Sequence, residues 1–324
     1  ASVDFFGLFE ARRHASGEWM PPVQIEAINR YDTGLAPVMG GPSISYDGNT
    51  LFFFANYSRK GVGFGREDIY CSQRERTGWS EPINLGPAIN TPGYEGFPSI
   101  SPDGRHLYFM RENLTKKGET QQVCYSLMMA EKSREGTWKR PIELPAPVNM
   151  DCEKAPRIMA DGKTLVFSSI KKGGRGDFDL YRALFQDDGT WSDPVALDFV
   201  NTKRSDQSVA ISACGDLMYY VSDGDIYTTA VPEALRPFKM GTVQGYVTDS
   251  LTGSPIPTRL NVTETATGKL YATLENSPTD GRYTALIPTN ADYTITVNEA
   301  GHRTRTIAIT RDLFATCDVV ARDC

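Results

Sequence analysis

No stretch of the 324 residues approaches the ~18 consecutive apolar residues that a membrane-spanning helix requires, so no helical span is read in this chain. The opening residues lack the charged n-region and apolar h-region of a signal peptide. Histidine is scarce, with three in all, and none stands beside another histidine or a cysteine pair, which argues against the common zinc frameworks. No metal and no cofactor is expected. Among the six cysteines there is no Cys-x-x-Cys. Cys71 and Cys124 read as small core residues, and Cys317 and Cys324 as either a bridge or two free thiols. Compartment is not legible from this cysteine usage. Basic residues do not predominate: 34 Lys and Arg against 40 Asp and Glu give a net charge of −6, without the excess that nucleic-acid binding calls for. The Gly-x-Ser-x-Gly elbow of propeller-bearing peptidases is also missing, and "GGPSIS" and "GFPSIS" only approach it.

What the chain has in quantity is β-turn chemistry. "GFPSISPDGRHLYF" (96–109) sets Pro102-Asp103-Gly104 between two apolar runs. Proline presets φ, aspartate bonds back to the backbone and glycine accepts positive φ, so the segment predicts a β-hairpin. Related segments begin near residues 41, 155 and 207, and the turn positions Asp47, Asp103, Asp161 and Gly215 lie 56, 58 and 54 residues apart. All four tryptophans keep the same beat as Trp-x-x-Pro, at Trp19, Trp79, Trp138 and Trp191. A third element lies between hairpin and tryptophan: Asp68-Ile69-Tyr70, Val123-Cys124-Tyr125, Asp179-Leu180-Tyr181 and Asp225-Ile226-Tyr227, with "VDFF" (3–6) as a fifth copy. Four short strands per unit, at a period somewhat above the ~40–50 residues usual for such repeats, predict an all-β propeller with five blades, or alternatively six. Each tryptophan is expected to pack between blades.

From Gly241 the period fails, and short alternating runs such as "LNVTE" and "YTITV" between Gly, Pro and Asp turns predict a small antiparallel β-sandwich. The expected division is a propeller over 1–238, a sandwich over 239–312, and a tail or linker over 313–324.

The Pro-Asp-Gly hairpins, the Asp-Ile-Tyr element and "GWSEPINLGPAIN" resemble TolB-type propeller repeats, in the variety found in envelope proteins of Bacteroidetes. The second domain resembles the carboxypeptidase regulatory-like, transthyretin-like sandwich. That resemblance rests on Gly245-x-Val247-x-Asp249, Gly253-Ser254-Pro255-Ile256, Thr279-Asp280-Gly281-Arg282-Tyr283 and Gly301-His302. The resemblance implies a periplasmic, outer-membrane-associated component of the type IX secretion system. Its partners would be other envelope or secretion proteins, and peptidoglycan would be reached only through an OmpA-type domain outside this chain. The chain reads as a piece of a longer protein.

With the parts of a hydrolase missing, the sequence reads as a non-enzymatic binding module, the alternative being a propeller enzyme of the sialidase or glycosidase kind. Two sets of positions fall on one face of a propeller and are the expected partner-binding residues. Arg59, Lys60, Lys116, Lys117, Lys171, Lys172 and Arg175 lie in long glycine-bearing loops after the hairpins. Glu95, Glu153 and Asp206 stand three residues ahead of Pro98, Pro156 and Val209 on the inner strands, a rule the first repeat breaks with Met39. The tripeptide Arg175-Gly176-Asp177 is read as a chance match to an integrin motif.

Overall fold

A computed structural model describes the chain except residues 1–6, 13, 15, 17, 33–36, 58–62, 76, 114–122, 134, 172 and 317–318. The described chain is all-β apart from one four-residue helix and two 3-10 turns. An N-terminal strand pair, Phe9–Glu10 with Val23–Gln24, precedes four antiparallel sheets. Sheet I contains Met39–Ile44, Thr50–Ala55 and Asp68–Glu75, edged by Gly78–Trp79 and Ile83–Asn84. Sheet II contains Glu95–Ile100, His106–Asn113, Cys124–Glu131 and Ile142–Glu143. Sheet III contains Glu153–Ile158, Thr164–Ser169, Asp179–Leu184 and Val195–Ala196. Sheet IV has three strands, Asp206–Ile211, Leu217–Ser222 and Asp225–Ala230.

The repeated turn does what its residues dictate. Gly104 sits at φ 69°, its N–H bonded to the Ser101 carbonyl, and Gly48, Gly162 and Gly215 repeat both features. A second irregularity recurs on each inner strand. The register shifts by a bulge, and Gly41, Phe97, Ala155 and Ser208 there take φ between 49° and 59°. Three side-chain-bearing residues in the left-handed region, all at one point of the repeat, mark where the inner strands bend around the axis.

Neighbouring sheets enclose separate cores. Sheets I and II share Phe52, Ile69, Ile100 and Phe109; II and III share Tyr108, Leu127, Ile158 and Phe167; III and IV share Val166, Leu180, Val209 and Met218. Trp138 meets Phe52 of sheet I edge-on at 6.5 Å, and Trp191 meets Tyr108 of sheet II at the same distance. Each of these tryptophans therefore packs against the sheet before its own.

A side-chain clamp repeats with them. Asn29, Asn90, Asn149 and Asn201 each accept a backbone N–H and return an amide N–H to the same residue's carbonyl. The clamped residues are Leu8, Ile69, Leu127 and Leu180. The amide thus stands in for one rung of a ladder where the fourth strand has ended.

The pattern stops at both ends of the array. Ile226, the sheet IV counterpart of Ile69, Leu127 and Leu180, is 77% exposed where those three are fully buried. Trp19, whose counterparts face the preceding sheet, is 58% exposed. Among the described residues these two side chains lack the cover that their counterparts have.

Beyond the short turn Glu233–Leu235, two further sheets face one another. One orders Arg282–Pro288, Met240–Tyr246 and Val320–Ala321; the other orders Leu270–Glu275, Arg259–Glu264, Tyr293–Val297 and Arg305–Ile309. Val243, Ala285 and Ile287 from the first meet Leu260, Val262 and Ile295 from the second in one core. The expected tail over 313–324 is corrected here. Phe314 is buried in that core, Val320–Ala321 pairs in parallel with Val243 and Gln244, and the Tyr283 hydroxyl donates to the Arg322 carbonyl at 2.7 Å. Short polar runs hid this strand, which only two rungs define.

Candidate functional site

Antiparallel alternation puts two kinds of connection at one end of every sheet. These are the loops between second and third strands and the segments that carry the chain to the next inner strand. This end is called the upper face.

The three inner-strand carboxylates lie just beneath it, and the structure buries them. Glu95 and Asp206 have no exposure and Glu153 has 1%. Glu95 accepts the Thr91 N–H at 2.8 Å and the Thr91 hydroxyl at 2.6 Å, and its Oε1 pairs with Arg111 Nε at 2.8 Å. Asp206 accepts the Thr202 N–H at 2.6 Å. Glu153 accepts the Asp151 N–H at 2.8 Å, the Met150 N–H at 3.3 Å and the Ser169 hydroxyl at 3.2 Å, while its Oε2 is buried without a hydrogen-bond partner. Burial raises the Glu153 pKa, and these three donors offset only part of that effect. The expectation that these acids contact a partner is therefore corrected: they hold the turns before the inner strands. Met39, where the first repeat lacks the acid, is buried in the core against the N-terminal pair.

The Asp-x-Tyr carboxylates act in the same way from the third strands. Asp68 accepts the Phe64 N–H at 2.6 Å and the Asn84 amide at 3.0 Å. Asp179 accepts the Arg175 N–H at 2.6 Å and the Gly176 N–H at 3.2 Å. Each loop so held reaches the following sheet through a parallel bridge, Glu67 with Tyr94 and Phe178 with Ser205. Arg175 belongs to this latch. Its Nη1 donates to the Asp198 carbonyl at 3.2 Å and its Nε lies 3.4 Å from the Asp198 carboxylate. Arg175-Gly176-Asp177 is thus part of an inter-sheet connection. Lys171, at the root of the same loop, places its ammonium 5.9 Å from the Tyr181 ring centre. Arg59, Lys60, Lys116, Lys117 and Lys172 lie outside the described residues.

Among the described residues the upper face also exposes apolar side chains. Val38, Phe64, Val123, Met150 and Ile170 are all exposed there, one or two on each of sheets I to III. Around them run charge pairs, Arg66 with Glu112 at 3.0 Å and Arg204 with Asp223 at 3.0 Å. Sequence reasoning passed over the five apolar positions because each stands alone in a polar segment, and only the topology gathers them.

Cys124 is buried, as a small core residue would be, and it is also crosslinked. It is disulfide-bonded to Cys152, joining the third strand of sheet II to the segment leading into sheet III. Cys214 is also disulfide-bonded, whereas Cys71 and Cys324 are free thiols. Residue 317 lies outside the described part of the chain. Among the described residues no group of three His, Cys, Asp or Glu side chains is placed to hold a metal ion.

No protein-family model matches the sequence, and no curated protein does. Solved structures do resemble the chain. TolB from Acinetobacter baumannii is 15% identical over 87% of this chain, at a TM-score of 0.44, and the chain spans 60% of that protein's length. A family 117 glycoside hydrolase from Zobellia galactanivorans is 14% identical over 87% of this chain and 89% of its own, also at 0.44. The periplasmic gluconolactonase of Pseudomonas aeruginosa is 13% identical over 95% of this chain and 94% of its own, at 0.37. The propeller-like fold is what this chain has in common with them. The expectation that the chain is no enzyme is overturned as a reading from fold: hydrolases stand beside TolB among its structural neighbours, so a propeller without a serine elbow is not thereby non-catalytic.

Proposed function

We propose that this chain is a protein-docking module of a bacterial cell envelope, acting outside the cytoplasm through the upper face of an open, TolB-like propeller. In this reading the N-terminal pair and sheets I to IV are one partial and four further blades of a five-bladed array. The two C-terminal sheets form a carboxypeptidase regulatory-like sandwich. The setting suggested by the repeats is the periplasm, against the outer membrane, in a type IX secretion assembly. Contact with peptidoglycan would be made by a domain outside this chain.

The observation that carries the reading is the combination of buried carboxylates with exposed apolar side chains on one face. Withdrawing a carboxylate from water costs several kcal/mol unless hydrogen bonds replace the lost solvation. Glu95, Glu153, Asp206, Asp68 and Asp179 are all spent on fixing turns there. A merely solvated loop needs no such anchor, whereas a docking surface gains affinity when its loops are ordered beforehand. Val38, Phe64, Val123, Met150 and Ile170, ringed by charge pairs, give the apolar centre and polar rim of an interface. The disulfides support the compartment, since structural disulfides persist in oxidising surroundings.

The test is a double variant, Val123→Asp with Met150→Asp, used beside the wild-type chain to capture partners from envelope extract. The variant is expected to melt with the wild type, because both side chains already face water, and to lose the proteins that the wild type retains. A folded variant that keeps every partner would place docking elsewhere and end this reading.

A further inference from the structure

The four inner strands surround an axial cavity of about 400 Å³, lined by their bulged segments and by Tyr219 and Tyr220 of sheet IV and by none of the five exposed apolar residues of the upper face. Most of the wall is apolar, with Pro42, Pro98 and Pro156 each following a residue of positive φ. One cation interrupts it.

Arg157 lines this cavity at a position where the repeat has a different residue. In sheet I the counterpart is Ser43, whose hydroxyl accepts the Ile100 N–H at 3.4 Å from the next sheet. In sheet II it is Ser99, which accepts the Ile158 N–H at 3.0 Å. Both serines are buried and tie one inner strand to the next. Sheet III breaks the series by presenting a guanidinium. Among the described residues Arg157 has no hydrogen-bond or ion-pair partner, although a planar fork of five donors rarely goes unused in an apolar setting. Tyr46 is the closest candidate for a counter-charge and cannot serve. Its hydroxyl is pushed up to about 12 by burial, so it stays neutral, and it donates to the Ile158 carbonyl at 3.2 Å.

We propose that the axial cavity is a ligand site for a small carboxylate with an apolar body, the carboxylate held by the Arg157 guanidinium and the body packed on the prolines and on Tyr219. A carboxylate matches the guanidinium fork with two parallel hydrogen bonds. It also cancels a charge that the apolar wall otherwise leaves uncompensated. A single arginine suits one negative charge better than the two of a phosphate group, which calls for several donors. The volume falls in the range of small-molecule sites, at the small end.

The experiment is calorimetric titration of the 324-residue chain with 4-phenylbutyrate, with its neutral amide, and with the corresponding phosphonate. The acid is expected to bind at least tenfold more tightly than the amide and more tightly than the phosphonate. Arg157→Ser installs the residue of sheets I and II, with the Ile211 N–H as its donor. It is therefore expected to melt at or above the wild-type temperature while losing the acid at least tenfold. Arg157→Lys keeps the charge without the fork and should fall between. Equal binding of acid and amide, tighter binding of the phosphonate, no binding of the acid at millimolar concentration, or retention of the acid by Arg157→Ser would each overturn the proposal. Unfolding of Arg157→Ser would do so too, by making the arginine part of the scaffold. The Val123→Asp, Met150→Asp variant should bind the acid as the wild type does, which separates this site from the docking face.

Discussion

The side chain of Asn90 occupies both backbone groups of Ile69, its Oδ1 accepting the N–H at 2.8 Å and its Nδ2 donating to the carbonyl at 3.0 Å. Ile69 is fully buried, so neither group has water as an alternative. Asn90→Ala leaves the buried Ile69 N–H unpaired, while the Ile69 carbonyl keeps the Leu85 N–H at 3.1 Å, and a loss of this kind costs about 1–3 kcal/mol. A destabilisation of roughly 1–3 kcal/mol is expected by denaturant titration, and the same from Asn201→Ala, whose clamp on Leu180 is equally buried and leaves the Leu180 carbonyl likewise paired with the Leu197 N–H. A loss below about 1 kcal/mol would mean that the backbone relaxes to pair elsewhere.

The Cys124–Cys152 bridge closes a loop of 28 residues between two sheets. By chain-entropy reasoning a loop of that length contributes about 3–4 kcal/mol. The double variant Cys124→Ser, Cys152→Ser should lower the unfolding free energy by about this amount. The wild-type chain measured under reducing conditions should move in the same direction. Unchanged stability in the double variant would show that the sheets are held without the crosslink.

These two features differ in how far the sequence disclosed them. The hairpins were legible because Pro, Asp and Gly act within four residues, and the tryptophans because an indole recurs at nearly constant spacing. The asparagine clamp was present in the same period, ten or eleven residues after each tryptophan, but asparagine is common in turns and its partner lies 21 or 22 residues away. The disulfide joins residues whose proximity depends on how sheet II meets sheet III, which local pattern does not contain. Glu95, Glu153 and Asp206 read from the sequence as partner-binding because their place in the repeat puts them on one face of a propeller. Nothing in the sequence shows that the preceding turn aims its N–H groups at them.

Glu153 ties stability to pH in a direction opposite to the usual buried salt bridge. Burial raises its pKa above the ordinary 4.5, so the fold favours the protonated acid. That contribution is complete below the unfolded value and is lost as pH rises through the folded one. Glu153→Gln keeps an oxygen for the Met150 and Asp151 N–H groups and removes the buried charge. The variant is therefore expected to be more stable than the wild type at pH 7 to 8. The difference should shrink as pH falls toward about 4.5, as followed by denaturant midpoints across that range. A constant difference at all pH values would show that the carboxyl of Glu153 does not titrate differently in the folded chain.

The latch loops make the last prediction, and it concerns why they contain glycine. A Cβ on Gly176 would stand 2.0 Å from the Arg204 carbonyl oxygen, and one on Gly65 would stand 2.2 Å from the Thr91 carbonyl oxygen. Neither residue has a positive φ, so the constraint is close approach to the next sheet and not conformational freedom. Gly176→Ala must push the loop away from Arg204, which loosens the Arg175 and Gly176 N–H bonds to Asp179 and strips a buried carboxylate of its donors. Overpacking of this kind typically costs about 1–3 kcal/mol. Gly65→Ala should cost a similar amount, since Asp68 is held in the same way by Phe64. In each variant, amide exchange should quicken first in the affected loop and in the first strand of the following sheet. Sheets remote from the latch should keep their protection. If Gly176→Ala leaves both stability and exchange unchanged, the loop reaches sheet IV without needing the contact, and its glycine has no steric role.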